Sequence, residues 1–214
     1  MFLEFSAASA PEGVCVKSLS RRIRTSLAVV AAMLTACLTI SLGLLAAPAA
    51  QAAPTSWYLN YTGQTQERTN WCWAATGNSV ANYFGYKQYS QNQFCNMAFG
   101  NAVNASCPNN QATLANDQRA FRTIGISAGT YISSTISYSA LQNQISANRP
   151  VMTRILWSSG GGHMMTLIGY DASSSTVQYH NPWPDDPRIN TSTYSWYVSN
   201  STFSWTHTLY GIGA

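Results

Sequence analysis

A cysteine flanked by two tryptophans, Trp71-Cys72-Trp73, stands where an apolar repeat at three and four residues begins. To act on a carbonyl carbon a cysteine must become a thiolate, and a helix start beside an imidazolium lowers its pKa for that purpose. The reaction also needs a histidine base held in one tautomer by a third group, and a donor facing the tetrahedral oxyanion. His163 heads the apolar run His163-Met164-Met165-Thr166-Leu167-Ile168-Gly169-Tyr170, Asn181 follows in His180-Asn181-Pro182-Trp183, and Gln66 lies six residues before Cys72. Singly, each has a plainer reading: a lone cysteine is usually a buried hydrophobe, an asparagine before proline a turn, a glutamine a surface residue. Together they supply a nucleophile, a base, an orienting amide and an oxyanion donor.

Elements are needed to bring these residues together. The spacing predicts a helix from Cys72 to Gly85, with Asn70 as its N-cap. Further helices are expected over Ser90–Phe99, over Gln111–Thr123 closed by Gly125, and after Ser139, ending at Asn148-Arg149-Pro150. Beyond Pro150, Val151–Trp157, Met164–Tyr170, Thr176–His180 and Thr206–Gly211 read as strands separated by Gly, Ser and Asp-Pro turns. A helical first half and a β second half imply an α+β fold of two lobes sharing one cleft. His180 faces away from Asn181 by strand alternation and reads as a packed or an exposed histidine, and His207 in an aromatic-rich terminal strand as a structural one.

Charge excludes other classes. The 214 residues carry 11 Lys+Arg and 7 Asp+Glu, and only 8% are charged, too few for a disordered or nucleic-acid-binding protein. Lys17, Arg21, Arg22 and Arg24 precede a long uncharged apolar stretch with small residues at Ala50 and Ala52. This is the pattern of a secretory signal cleaved after Ala52, leaving a mature domain over residues 53–214. Two other readings are an uncleaved membrane anchor, since the stretch is long enough to span a bilayer, and a lipoprotein signal at Leu34-Thr35-Ala36-Cys37, whose continuing apolar run lacks a polar tether. Removing residues 1–52 also removes Glu4 and Glu12 and leaves 7 basic and 5 acidic residues, a nearly neutral surface that implies no electrostatic partner. No stable membrane insertion is expected after cleavage.

Cys15 and Cys37 leave with the signal, so the mature chain keeps Cys72, Cys95 and Cys107. Parity in an oxidising compartment suggests one disulfide. Cys95 and Cys107 share one Asn-rich loop, and closing it contributes about 3 kcal/mol in the chain-entropy model. Cys72 is then the free thiol. The few carboxylates show no metal-ligand spacing, so neither a metal nor another cofactor is expected.

From Gln66 to Trp183 the chain resembles the papain-like cysteine peptidases in a compact, secreted bacterial form. The Gln-x5-Cys-Trp spacing, the Gly-His strand ending in Gly-Tyr and the Asn-x-Trp motif occur in that family's order, although Pro182 departs from its commoner pattern. The resemblance implies a papain-like two-lobed fold and an endopeptidase acting through a thioester. Cys72 would attack as a thiolate and His163 would pair with it as an imidazolium. Asn181 would orient His163 under the shield of Trp183, and Gln66 with the Cys72 N–H would bind the oxyanion. The implied substrate is a polypeptide, with a separate inhibitor protein as one possible partner. Transglutaminases and cell-wall amidases share the Cys-His-polar logic, and a third alternative is a non-enzymatic binding scaffold. Only Ala53–Thr65 lies between the signal and Gln66, too short for a helical pro-domain, so activity is expected on signal removal.

Overall fold

The near-continuous apolar run around Met164–Tyr170 is the kind of sequence that survives only with both faces covered. In the computed structural model, which describes residues 53–213, it lies within β4 (Gly162–Asp171), buried from His163 to Tyr170. Its neighbours are β3 (Val151–Trp157) and β5 (Thr176–His180), and all three pair antiparallel. The sheet is completed by β1 (Ser56–Tyr58), β2 (Ala128–Ile132), β6 (Ile189–Thr193) and β7 (Phe203–Ile212). Its order is β2-β7-β3-β4-β5-β6, with β1 added along β4. The expected signal segment, with Cys15 and Cys37, lies outside the described residues. None of the described helices is long and apolar enough to cross a membrane.

Among the described residues five helices cover the sheet: α1 (Cys72–Tyr83), α2 (Gln91–Phe99), α3 (Leu114–Ile124), α4 (Tyr138–Ser146) and α5 (Tyr194–Val198). Strand alternation divides the core in two. Met152, Met164, Leu209 and Ile212 meet α1–α3 through Trp73, Phe94 and Phe121. Val151, Ile155, Met165 and Leu167 pack with Leu141, Ile145 and Tyr197 from α4 and α5. The fold is therefore the α+β type expected, with helices leading and the sheet following. The β lobe also recruits two strands from the helical half of the sequence, β1 and β2.

Local chemistry explains most helix limits and corrects several. Ser90 caps α2 in a reciprocal capping box with Gln93, and Gly100 closes it at φ 73°. The third helix starts at Leu114 rather than Gln111, because Thr113 and Asn116 form its capping box. Ser137, not Ser139, caps α4 by accepting from the Ala140 N–H. Asn70 does not cap α1 either: its side chain and backbone both bond Asn109, and the N-cap residue is Trp71.

A disulfide joins Cys95 of α2 to Cys107, and both cysteines are fully buried. The chain after Cys107 is then fastened to the start of α1. Trp71 Nε1 donates to Pro108 O (3.1 Å) and Trp73 Nε1 to Asn110 O (3.0 Å). The two tryptophans around Cys72 thus fix the helix start against a covalently anchored loop.

One feature of this core opposes stability. Asp117 of α3 has no exposed surface and neither carboxylate oxygen has a hydrogen-bond partner. A side chain at Gly77 of α1 would collide with Phe94 and come within 2.8 Å of Asp117 Oδ1, so the carboxyl group is pressed against the helix that begins at Cys72. Burial raises its pKa well above the ordinary 3.8. The unfolded chain gives up this proton near pH 4 while the folded chain retains it, so stability falls as pH rises above that point. Asp117→Asn, which removes the ionisation and keeps the shape, should raise the melting temperature at pH 7 by several degrees and at pH 4 by much less. A thermal-denaturation series across that range measures the difference, and a gain independent of pH would show that the carboxyl group is not the source.

Candidate active site

Cys72 is the first residue of α1, so its N–H and that of Trp73 have no carbonyl one turn back to bind. His163 is the second residue of β4, buried and paired in register with Ile155 of β3. Cys72 and His163 line one cleft enclosing about 100 Å³, with Trp157, Met164 and Trp183 among its other walls. Cys72 is the free thiol among the described cysteines. Among the described residues there is no group of three or more His, Cys, Asp or Glu side chains arranged to hold a metal ion.

Asn181 follows β5, and its amide oxygen lies 2.8 Å from His163 Nε2. The orientation of this amide is fixed from both sides: the Trp183 N–H donates to Oδ1 (3.0 Å), and Nδ2 donates to Asp186 Oδ2 (2.7 Å). Nε2 must therefore carry the hydrogen that Oδ1 accepts, which leaves Nδ1 as the basic nitrogen. Trp183 meets the His163 ring edge-on at 5.8 Å and Trp157 stacks on it at 5.9 Å. Trp183 is itself 42% exposed and covers His163 from the solvent side.

Asp186 was not among the residues singled out from the sequence. Its only sequence signal was the Asp-Asp-Pro turn, which reads equally well as a surface loop. Asp171 is at the far end of β4, accepting from Ser173 (2.6 Å) in a turn.

Burial governs the electrostatics. It pushes the Cys72 thiol up to about 11, although the N–H groups of Met164, Trp73 and Cys72 favour the thiolate. The same loss of water lowers the pKa of His163, against the raising effects of the Asn181 hydrogen bond and the Asp186 charge. The lowered thiol pKa expected from the sequence is thus not what this environment gives. Burial disfavours the charged form of both groups.

Gln66 is buried, and its amide nitrogen donates to Arg68 O (2.9 Å) and Thr69 O (3.0 Å), in the turn that leads into α1. Its Oε1 is buried without a partner. Its backbone N–H donates to Pro182 O (2.9 Å), so the proline that departs from the commoner family pattern joins the Gln66 loop to the Asn181 loop. His180 makes a parallel link. It is fully buried, and its Nε2 donates to Gln64 O (2.9 Å). Burial and the charges of Arg188 and His163 push its pKa down to about 4 despite that bond. His207, half-buried, stacks on Tyr131.

A thiol at a helix start and a histidine bonded to an amide oxygen thus line one cleft of an α+β fold. Residues 55–202 match the family model described as papain-like cysteine protease AvrRpt2, and the chain belongs to that family. It is a papain-like cysteine peptidase. No curated protein matches the chain. Among solved structures, xylellain, a cysteine protease from Xylella fastidiosa, is similar over 74% of this chain and 86% of that one, at 13% identity and a TM-score of 0.47.

The Asp186 contact yields a test. Asp186→Ala frees the Asn181 amide to rotate and removes an anion that raises the His163 pKa. Turnover should fall by about ten-fold with little change in KM, and the acid limb of the kcat profile should move to lower pH. An unchanged rate with an unchanged limb would mean that Trp183 alone holds Asn181.

Proposed function

We propose that the chain is a secreted endopeptidase whose nucleophile is Cys72, with His163 as base and acid and Asn181 as its orienting residue. The observation that carries this reading is the 2.8 Å contact of His163 Nε2 with Asn181 Oδ1, which leaves Nδ1 free beside the cleft that Cys72 lines. Cys72 transfers its proton to Nδ1 as the sulfur attacks the peptide carbonyl. The tetrahedral oxyanion collapses to a thioester, and the leaving amine takes the proton from His163. Water then attacks the thioester, giving a proton to His163 and releasing the acid and the thiol. The Cys72 N–H, free at the helix start, is one oxyanion donor. Gln66 is the second, and in that role one of its two amide hydrogens leaves the Arg68 and Thr69 carbonyls when substrate binds. Trp183 keeps water from the His163–Asn181 bond.

Activity in this scheme requires one proton on the Cys72–His163 pair. The lowered pKa of His163 puts the acid limb below the ordinary 6.5, and the raised pKa of Cys72 puts the alkaline limb above 9.0. Purified residues 53–214 should cleave an uncharged quenched peptide across that plateau, and Cys72→Ala should abolish cleavage while keeping the circular-dichroism spectrum. Turnover by Cys72→Ala, or products that are cross-linked rather than cleaved, would overturn the peptidase reading.

Secretion with cleavage after Ala52 is part of the same proposal. The Cys95–Cys107 disulfide supports it, because such bonds persist in oxidising compartments. β1 begins at Ser56, so residues 56–58 behind the expected cleavage point pair with β4. Control would then fall to the reducing state of Cys72 or to a separate inhibitor protein. N-terminal sequencing of the exported protein should begin at Ala53, and a membrane-retained, uncleaved product would replace the signal with an anchor.

A further inference from the structure

Arg154 sits in β3, where alternation puts it on the same face as Met152 and Met164, toward the helical lobe. It lines the cleft with Cys72 and His163 and, among the described residues, is the only Lys, Arg, Asp or Glu that does so. Its charge is not neutralised within the described residues. The one hydrogen bond of its side chain runs from Nη1 to Thr206 Oγ1 (3.1 Å), which leaves Nη2 and Nε uncommitted. A half-buried guanidinium with donors to spare and no counter-charge can take up an anionic partner at this wall.

The backbone makes room for this arrangement. A side chain at Gly162 would meet Arg154 Nη2 at 2.7 Å and Cζ at 2.8 Å, so the guanidinium lies against the glycine that immediately precedes His163. The register partner of Arg154, His207, has its pKa lowered by burial and by the Arg154 charge, so at neutral pH Arg154 is the fixed cation of this wall.

We propose that Arg154 is the specificity-determining residue of the cleft and that it selects peptides placing an acidic side chain against its guanidinium within a few residues of the bond cut. This rests on the peptidase reading above. A carboxylate fits the planar, multi-donor guanidinium better than any neutral side chain does, through two parallel N–H···O bonds. Aspartate, glutamate and a free chain terminus share that chemistry, and the proposal commits to the side chain.

The experiment uses quenched peptides, blocked at both ends, with Glu, Gln or Lys scanned through each position around the cut. At one position the wild-type enzyme should favour Glu over Gln by about ten-fold or more in kcat/KM. Arg154→Gln should bring that ratio close to one, and Arg154→Glu should favour Lys at the same position. Each ratio is taken within one enzyme preparation, so partial unfolding of a variant cancels. A ratio near one at every position of the wild-type enzyme, or a ratio unaltered by Arg154→Gln, overturns the proposal. So does a preference that appears only when a free C-terminus replaces an amidated one, since the reader would then recognise chain ends. If no wild-type cleavage is seen that Cys72→Ala lacks, it is the peptidase reading that fails; cleavage without an acidic preference removes the role of Arg154 alone.

Discussion

The site depends on a seam. The chain around Asn181 holds the chain ahead of Cys72 through two hydrogen bonds, from His180 Nε2 to Gln64 O and from the Gln66 N–H to Pro182 O. One strand end thereby sets both the orientation of His163, through Asn181, and the approach of the segment that leads into the Cys72 helix. The contact is close enough that Gly63 has no space for a side chain: a Cβ there would overlap the His180 ring. Because His180 is neutral only while its proton count stays low, acid attacks this seam directly. Between about pH 6.5 and 4 the unfolded chain binds a proton that the folded chain refuses, and stability is lost as pH falls through that window.

A second constraint comes from redox chemistry. In the proposed mechanism Cys72 must be a reduced thiol, while the loop that fastens the start of its helix hangs on a disulfide. The two demands are met by placement. Cys95 and Cys107 have no exposed surface, whereas Cys72 opens into the cleft. Thiol exchange requires access to the sulfur, so a small reductant reaches Cys72 before it reaches the bridge.

Much of this was legible in the chain because it is written in spacing. The strands at Val151–Trp157 and Thr176–His180 were bounded to the residue by Pro150, the Ser turn and the Asn-Pro step, and the order of Gln66, Cys72, His163 and Asn181 pointed to one reaction. What escaped was decided by tertiary contact. β1 and β2 are short, and β6 alternates polar residues on an edge, so none has an apolar pattern to announce it. Asn70 has the chemistry of a cap, but Asn109, far along the chain, offered it better bonds. The thiol pKa ran opposite to expectation because a helix start is an electrostatic statement and burial is a solvation one, and here solvation is the larger. Arg154 and Asp186 were visible as charges, yet only the three-dimensional arrangement shows one unpaired in the cleft and the other holding an amide.

The position of β7 has a consequence for how the chain comes to exist at all. This strand, residues 203–212, lies between β2 and β3, so it completes the interior of the sheet rather than its edge. Its partner β2 ends at Ile132 and waits through some seventy intervening residues for Thr208 to Ile212 to arrive. During synthesis, a nascent chain that has already made α1, His163 and Asn181 still has a gap in the middle of its sheet, with two rows of unpaired backbone groups facing it. The sheet stays open until β7 pairs with β2 and β3, and long-range pairing of this kind is slow.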